Sequence, residues 1–185
     1  MAENDVLKAY ITNCGANLTS TTPLLYEASF FKIYVKFEVF LSEMFKSYCI
    51  GTVNSKGYCP QRKLAFVDEA QLDAVLKGDK QYVDYLKKIE SLSKHIFVDN
   101  PFNVIFDVAD NATYINQMMA LRNYIAHESS ESRSKYIQTC LSNKAFVEPC
   151  DFLMSKNKRN SRSYYTIYIN KILQISDLIL EKPIV

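Results

Sequence analysis

The chain has 185 residues and a mass of 21.3 kDa, with 48% apolar and 13% aromatic side chains but only four glycines and five prolines. That is enough chain to bury a core as one domain over residues 1–185, and too little punctuation for linkers or low-complexity segments. A formal charge of +2 leaves the whole-molecule field nearly neutral, so any contact with nucleic acid has to come from a local patch; five widely spaced cysteines without a C-x-x-C pair, and only two histidines, argue against a disulfide framework or a metal site and for a reduced, cytoplasmic location.

Met1 to Tyr10 carries acids and no apolar core, so it is not expected to be a signal peptide, and no apolar stretch approaches the roughly 18 residues of a membrane span. Asp5 to about Cys14 predicts a short helix through Leu7, Tyr10 and Ile11, ending toward Gly15, with polar residues 17–22 as a connector. Thr22-Pro23 is a helix start, a hydroxyl N-cap followed by proline at the first helical position. Leu24 to Tyr48 is the most apolar segment of the chain. Phe30, Phe31, Ile33, Tyr34, Phe37, Val39, Phe40, Leu41, Met44 and Phe45 cover more than one helical face, which predicts a central mast contacted from several sides, or a mast with a dimer face. Glu38 and Glu43 within it are either solvated helix glutamates or partners for a distant histidine or arginine.

Gly51 to Gln61 is a loop. Asp68 to Lys77 predicts a helix stopped by Gly78, and Asp79 caps the next, which runs through Tyr82, Val83, Leu86, Ile89 and Leu92 to about Lys94. His95 suits a capping or surface residue better than a second catalytic base. Asp99-Asn100-Pro101 is a turn, and Phe102 to Val108 is too short an apolar run to assign by period.

Tyr114, Met118, Leu121 and Ile125 recur at the spacing of one helical face, with Asn111 as the expected N-cap. At about 100° per residue Arg122 and His127 lie roughly 140° apart, while Asn123 and His127 share a face. The helix is expected to end within Glu128-Ser129-Ser130, a run that can also cap the next, which places His127 at a helix C-terminus. A protonated imidazole is favoured there by about 0.3–1 kcal/mol. A permanently charged guanidinium near an imidazole that changes charge near neutrality suits a phosphodiester: one holds the non-bridging oxygens and the other moves a proton. Tyr124 is either a substrate contact or a packing residue. Ser132 to Leu141 predicts another helix. Residues 154–165 carry Lys156, Lys158, Arg159 and Arg162 beside tyrosines and no acid, which suits a single-stranded RNA track or, equally, a solvated loop. Tyr165 to Leu180 closes the chain as an amphipathic helix.

Leu121-Arg122-Asn123-Tyr124-Ile125-Ala126-His127-Glu128 resembles the R-N-x3-H form of the R-x4-H signature of HEPN domains, the higher eukaryote and prokaryote nucleotide-binding family. Many members are ribonucleases of toxin–antitoxin and antiviral defence systems. The resemblance covers residues 114–128 recognisably and the rest only in architecture. It implies an all-α, up-and-down bundle with a long central helix, and an endoribonuclease using no metal or cofactor. The 2′-hydroxyl would attack phosphorus and leave a 2′,3′-cyclic phosphate, with His127 as general acid or base, Arg122 holding the phosphoryl oxygens and Asn123 orienting the imidazole or donating a further hydrogen bond. Glu38, Tyr124 and Glu128 would support them. The resemblance also implies a homodimer with a composite cleft, and one helix offers too few groups for complete acid–base catalysis by itself. An antitoxin or sensor is the implied partner, although the tyrosine that some toxins carry two positions after the histidine is Ser129 here. Two further readings stand: a non-catalytic module binding RNA, nucleotide or protein, and a structural pair in which Arg122 meets Glu38 or Glu43 inside the bundle.

Overall fold

A computed structural model describes residues 2–18, 22–77 and 85–182. Among these, the chain forms α1 (Asp5–Asn17), α2 (Pro23–Ile50), α3 (Glu69–Lys77), α4 (Tyr85–Ile96), α5 (Asn103–Phe106), α6 (Ala109–His127), α7 (Ser130–Cys140), α8 (Pro149–Met154) and α9 (Tyr164–Ile179). The protein is all-α, and its only β pairing among the described residues is two isolated bridges, Arg62 with Phe97 and Lys156 with Ser163. No described helix is long and apolar enough to cross a membrane.

Helix α2 is the mast its apolar pattern predicts. Phe30, Ile33, Tyr34, Phe37, Phe40, Leu41, Met44, Phe45, Tyr48 and Cys49 are all buried. Helices α1, α3, α4, α6, α8 and α9 pack around it. Each such aromatic or aliphatic side chain removed from water contributes about 1.5–3 kcal/mol, and the buried residues form one contiguous cluster. Leu24, Leu25 and Val39 stay exposed on the mast. Pro23 begins it, and Gly51, at φ +88°, ends it by donating its N–H to Ser47 and Tyr48.

Several boundaries differ from those read in the sequence. Helix α1 continues through Gly15 to Asn17, because a glycine lowers helix propensity without blocking it. Helix α6 starts at Ala109, so Asn111 lies inside its first turn and is not its cap. The Asn111 side chain turns away from its own backbone, donating to the Val104 carbonyl at 2.7 Å and accepting from Lys171 at 3.0 Å. The unassigned run 102–108 contains the one-turn helix α5, with Phe102 and Ile105 fully buried. Helix α8, opened by Pro149, was not foreseen. Ser129 and Ser163 cap α7 and α9 by accepting the N–H groups of Ser132 and Thr166. Gly78, Asp79, Tyr82 and Val83 lie outside the described residues. Finally, α1 and α9 are joined where the Asn4 amide and the Lys8 ammonium both reach Asp177, at 2.8 and 2.6 Å.

Candidate active site

Helix α6 packs with Asn111, Ile115, Met118, Ala120 and Leu121 inward. Arg122, the next residue round, points along α2: its Nη2 lies 3.3 Å from Glu38 Oε2 and its guanidinium sits 5.8 Å from the centre of the Phe31 ring. Phe31 and Glu38 are seven residues apart, two turns along one face of the mast. The Arg122 side chain is 21% exposed and that of Glu38 32%. A second Arg122 nitrogen, Nη1, donates to Asn123 Oδ1 at 3.1 Å, and Nε is buried without a partner. Of the two glutamates singled out in the mast, Glu38 therefore meets the arginine, and Glu43 stays exposed elsewhere.

His127 is the last residue of α6, as its spacing predicts, and its ring is exposed. The side-chain oxygen of Asn123 faces Arg122, so the amide steadies the guanidinium. Glu128 follows in the left-handed region at φ 46° and closes the helix with its N–H on the Tyr124 carbonyl. Tyr124 itself packs: its ring stacks on buried Tyr136 at 5.3 Å and 5°, with Phe146 edge-on at 5.8 Å, and the Arg133 guanidinium lies 4.3 Å from the centre of the Phe146 ring.

The surroundings of His127 include a feature the sequence did not announce. Burial raises the Glu27 carboxyl above the ordinary carboxylate range, and the charges of Glu128 and Glu148 raise it further. These three acids come from the second turn of α2, the end of α6 and the residue before α8. Burial, then Asp151 and Glu27, also raise the Cys150 thiol. Residues 27, 128 and 148 are too far apart in the chain for any spacing rule to unite them. Their negative field opposes a further anion at this edge.

The four basic residues of 154–165 occupy the loop between α8 and α9 and are all exposed. None of them contacts Arg122 or His127. Burial, then Asp110 and Tyr164, raise the Tyr114 phenol, and the charge of Arg159 offsets part of that. Tyr114 precedes Arg122 by eight residues, about 12 Å along the helix, and meets Tyr168 of α9 while Arg122 meets α2. His95 is exposed in the last turn of α4. Among the described residues no three His, Cys, Asp or Glu side chains group as metal ligands would. The chain matches no protein-family model, no curated protein and no solved structure.

Proposed function

We propose that the C-terminal half of α6 is half of a HEPN-type endoribonuclease site, completed by a second copy of the chain and working in a toxin–antitoxin or antiviral defence setting. The observation that carries this reading is an exposed imidazole ending the helix whose preceding turn presents a guanidinium already oriented by Asn123 and Glu38. The reaction uses protein groups alone. The 2′-oxygen forms a bond to phosphorus, the bond from phosphorus to the 5′-oxygen breaks, and a 2′,3′-cyclic phosphate results. One His127 takes the 2′-hydroxyl proton and the partner copy's imidazole supplies a proton to the leaving 5′-oxygen. Arg122 stabilises the charge on the non-bridging oxygens, and Glu38 positions it.

A second reading is favoured by the same contacts. Arg122 joined to Glu38 and Phe31 also suits a non-catalytic module in which the arginine ties α6 to the mast. Purified protein incubated with total RNA in excess EDTA, beside His127→Ala and Arg122→Ala variants shown by circular dichroism to be folded, separates the two. The nuclease reading expects cyclic-phosphate ends from the parent and a loss of about 10²–10⁴-fold with His127→Ala. Equal inertness of parent and variants, with a stability loss confined to Arg122→Ala, would establish the structural role instead.

A further inference from the structure

We propose that residues 155–163, between α8 and α9, bind single-stranded polynucleotide through its phosphates, whether or not the chain cleaves RNA. The segment Ser155-Lys156-Asn157-Lys158-Arg159-Asn160-Ser161-Arg162-Ser163 holds four cations and no acid. It is a built loop. The backbone N–H of Asn157 donates to the Arg162 carbonyl and that of Ser161 to the Asn157 carbonyl, both at 2.9 Å, and Tyr164 N–H donates to the Ser155 carbonyl at 3.1 Å. Two asparagine side chains fold the turn further, Asn157 Oδ1 accepting from Arg159 N–H at 2.9 Å and Asn160 Oδ1 from Arg162 N–H at 3.1 Å.

The polar uncharged residues thus hold the backbone, and all four cations are left over. Elsewhere in the molecule Lys8, Lys46, Lys56, Lys171 and Arg122 each meet a carboxylate. No ion-pair or hydrogen-bond partner serves the side chains of Lys156, Lys158, Arg159 or Arg162 among the described residues. Four like charges within seven positions repel one another, and that repulsion is relieved when anions at matching spacing arrive. The foot of the loop supplies aromatic surface. Half-buried Tyr164 stacks on Phe152 at 4.5 Å and 25°, with its hydroxyl 3.4 Å from Asn157 Nδ2. Cations around ring edges fit a strand whose bases are free to stack, which a duplex does not offer. The loop itself has no apolar residue to insert into a bilayer.

The test is fluorescence anisotropy with labelled oligothymidylate and oligouridylate, a duplex of the same length, and vesicles of phosphatidylserine and phosphatidylcholine, over a range of salt. Oligothymidylate lacks the 2′-hydroxyl and cannot undergo the transesterification, so its binding is read independently of any cleavage. Four phosphate contacts on a single strand give a slope of log affinity against log salt of roughly −3, or about 50-fold weaker binding at 200 than at 50 mM. Arg159→Ala with Arg162→Ala should halve that slope, and Arg159→Lys with Arg162→Lys should keep it. Binding of oligouridylate alone would narrow the ligand to RNA and support the loop as its site if the slope falls in the alanine pair. No binding of either strand by the parent at low salt, a slope unchanged by the alanine pair, or capture by the vesicles only would each overturn the proposal.

Discussion

Arg122 and Glu38 form a pair that is neither buried nor free, and its free energy is measurable apart from any activity. The side chains retain 21% and 32% exposure, so solvent screens part of the attraction, and the 3.3 Å separation is long for a charge-assisted bond. Removing the arginine also strips the Phe31 ring of its cover. We expect Arg122→Ala to lose about 1–2 kcal/mol in urea unfolding and Glu38→Ala less, with a coupling of about 0.5–1 kcal/mol in the double-mutant cycle. Strict additivity would mean that the Arg122–Glu38 contact adds nothing to holding α6 on the mast. Burial pushes the thiols of Cys49 and Cys140 up to about 12. The thiolate is the reactive form, so iodoacetamide in the native state should leave both unmodified by mass spectrometry and modify them on unfolding. At this scale the sequence showed which residue types carry chemistry. It did not show partners, because Arg122 and Glu38, like Glu27, Glu128 and Glu148, are brought together only by packing.

Elements were legible in proportion to their length. The mast declared itself by ten apolar positions and by Pro23 at its start, although the Thr22 hydroxyl expected to cap it makes no capping bond, and the cap role of Glu128-Ser129-Ser130 followed from residue type. Helices α5 and α8 span four and six residues, less than two turns, which is too short for a 3.6-residue period to emerge. The start of α6 was misplaced because an asparagine near a helix start suggests a cap, whereas Asn111 spends its hydrogen bonds on α5 and α9. The other end of the mast yields a prediction. Gly51 adopts φ +88°, and a Cβ there would collide with the Arg62 guanidinium, whose Nη1 donates to the Cys49 carbonyl at 2.8 Å. Gly51→Ala combines left-handed strain of about 1–2 kcal/mol with loss of that bond, so its thermal midpoint should fall by several degrees. An unchanged midpoint would mean that the loop after α2 rearranges freely.

Across the whole molecule, acid acts on two carboxyls in opposite directions. Burial raises Asp177, but the hydrogen bonds from Lys8 and Asn4 outweigh it and hold its carboxyl below the ordinary range. Its contribution is therefore present above the unfolded value, near 3.9, and is lost as pH falls through the lower folded value. Glu27 is raised by burial and by Glu128 and Glu148, so its ionised form weakens the fold at neutral pH and the penalty disappears as pH falls through the raised value. Asp177→Asn should be less stable than the parent at pH 7 and converge with it at strongly acid pH, while Glu27→Gln should be more stable at pH 7 and converge by mildly acid pH. Unfolding curves at a series of pH values decide both, and parallel curves would reject the assignment. Because Asp177 is 41% exposed, the Asn effect should be small.

The order in which the mast and its covers occur along the chain bears on synthesis. Helix α2 is complete by Ile50, yet α8 and α9, which close over it, begin only at Pro149 and Tyr164. At roughly 5–20 residues per second a ribosome needs several seconds to produce that interval. During it α3, α4 and α6 are made and join α1 against the mast, while the face that α8 and α9 cover stays open. The growing polypeptide is thus at its stickiest early, and the docking of α8 and α9, more than any local helix formation, is the step that closes the last open face of the mast.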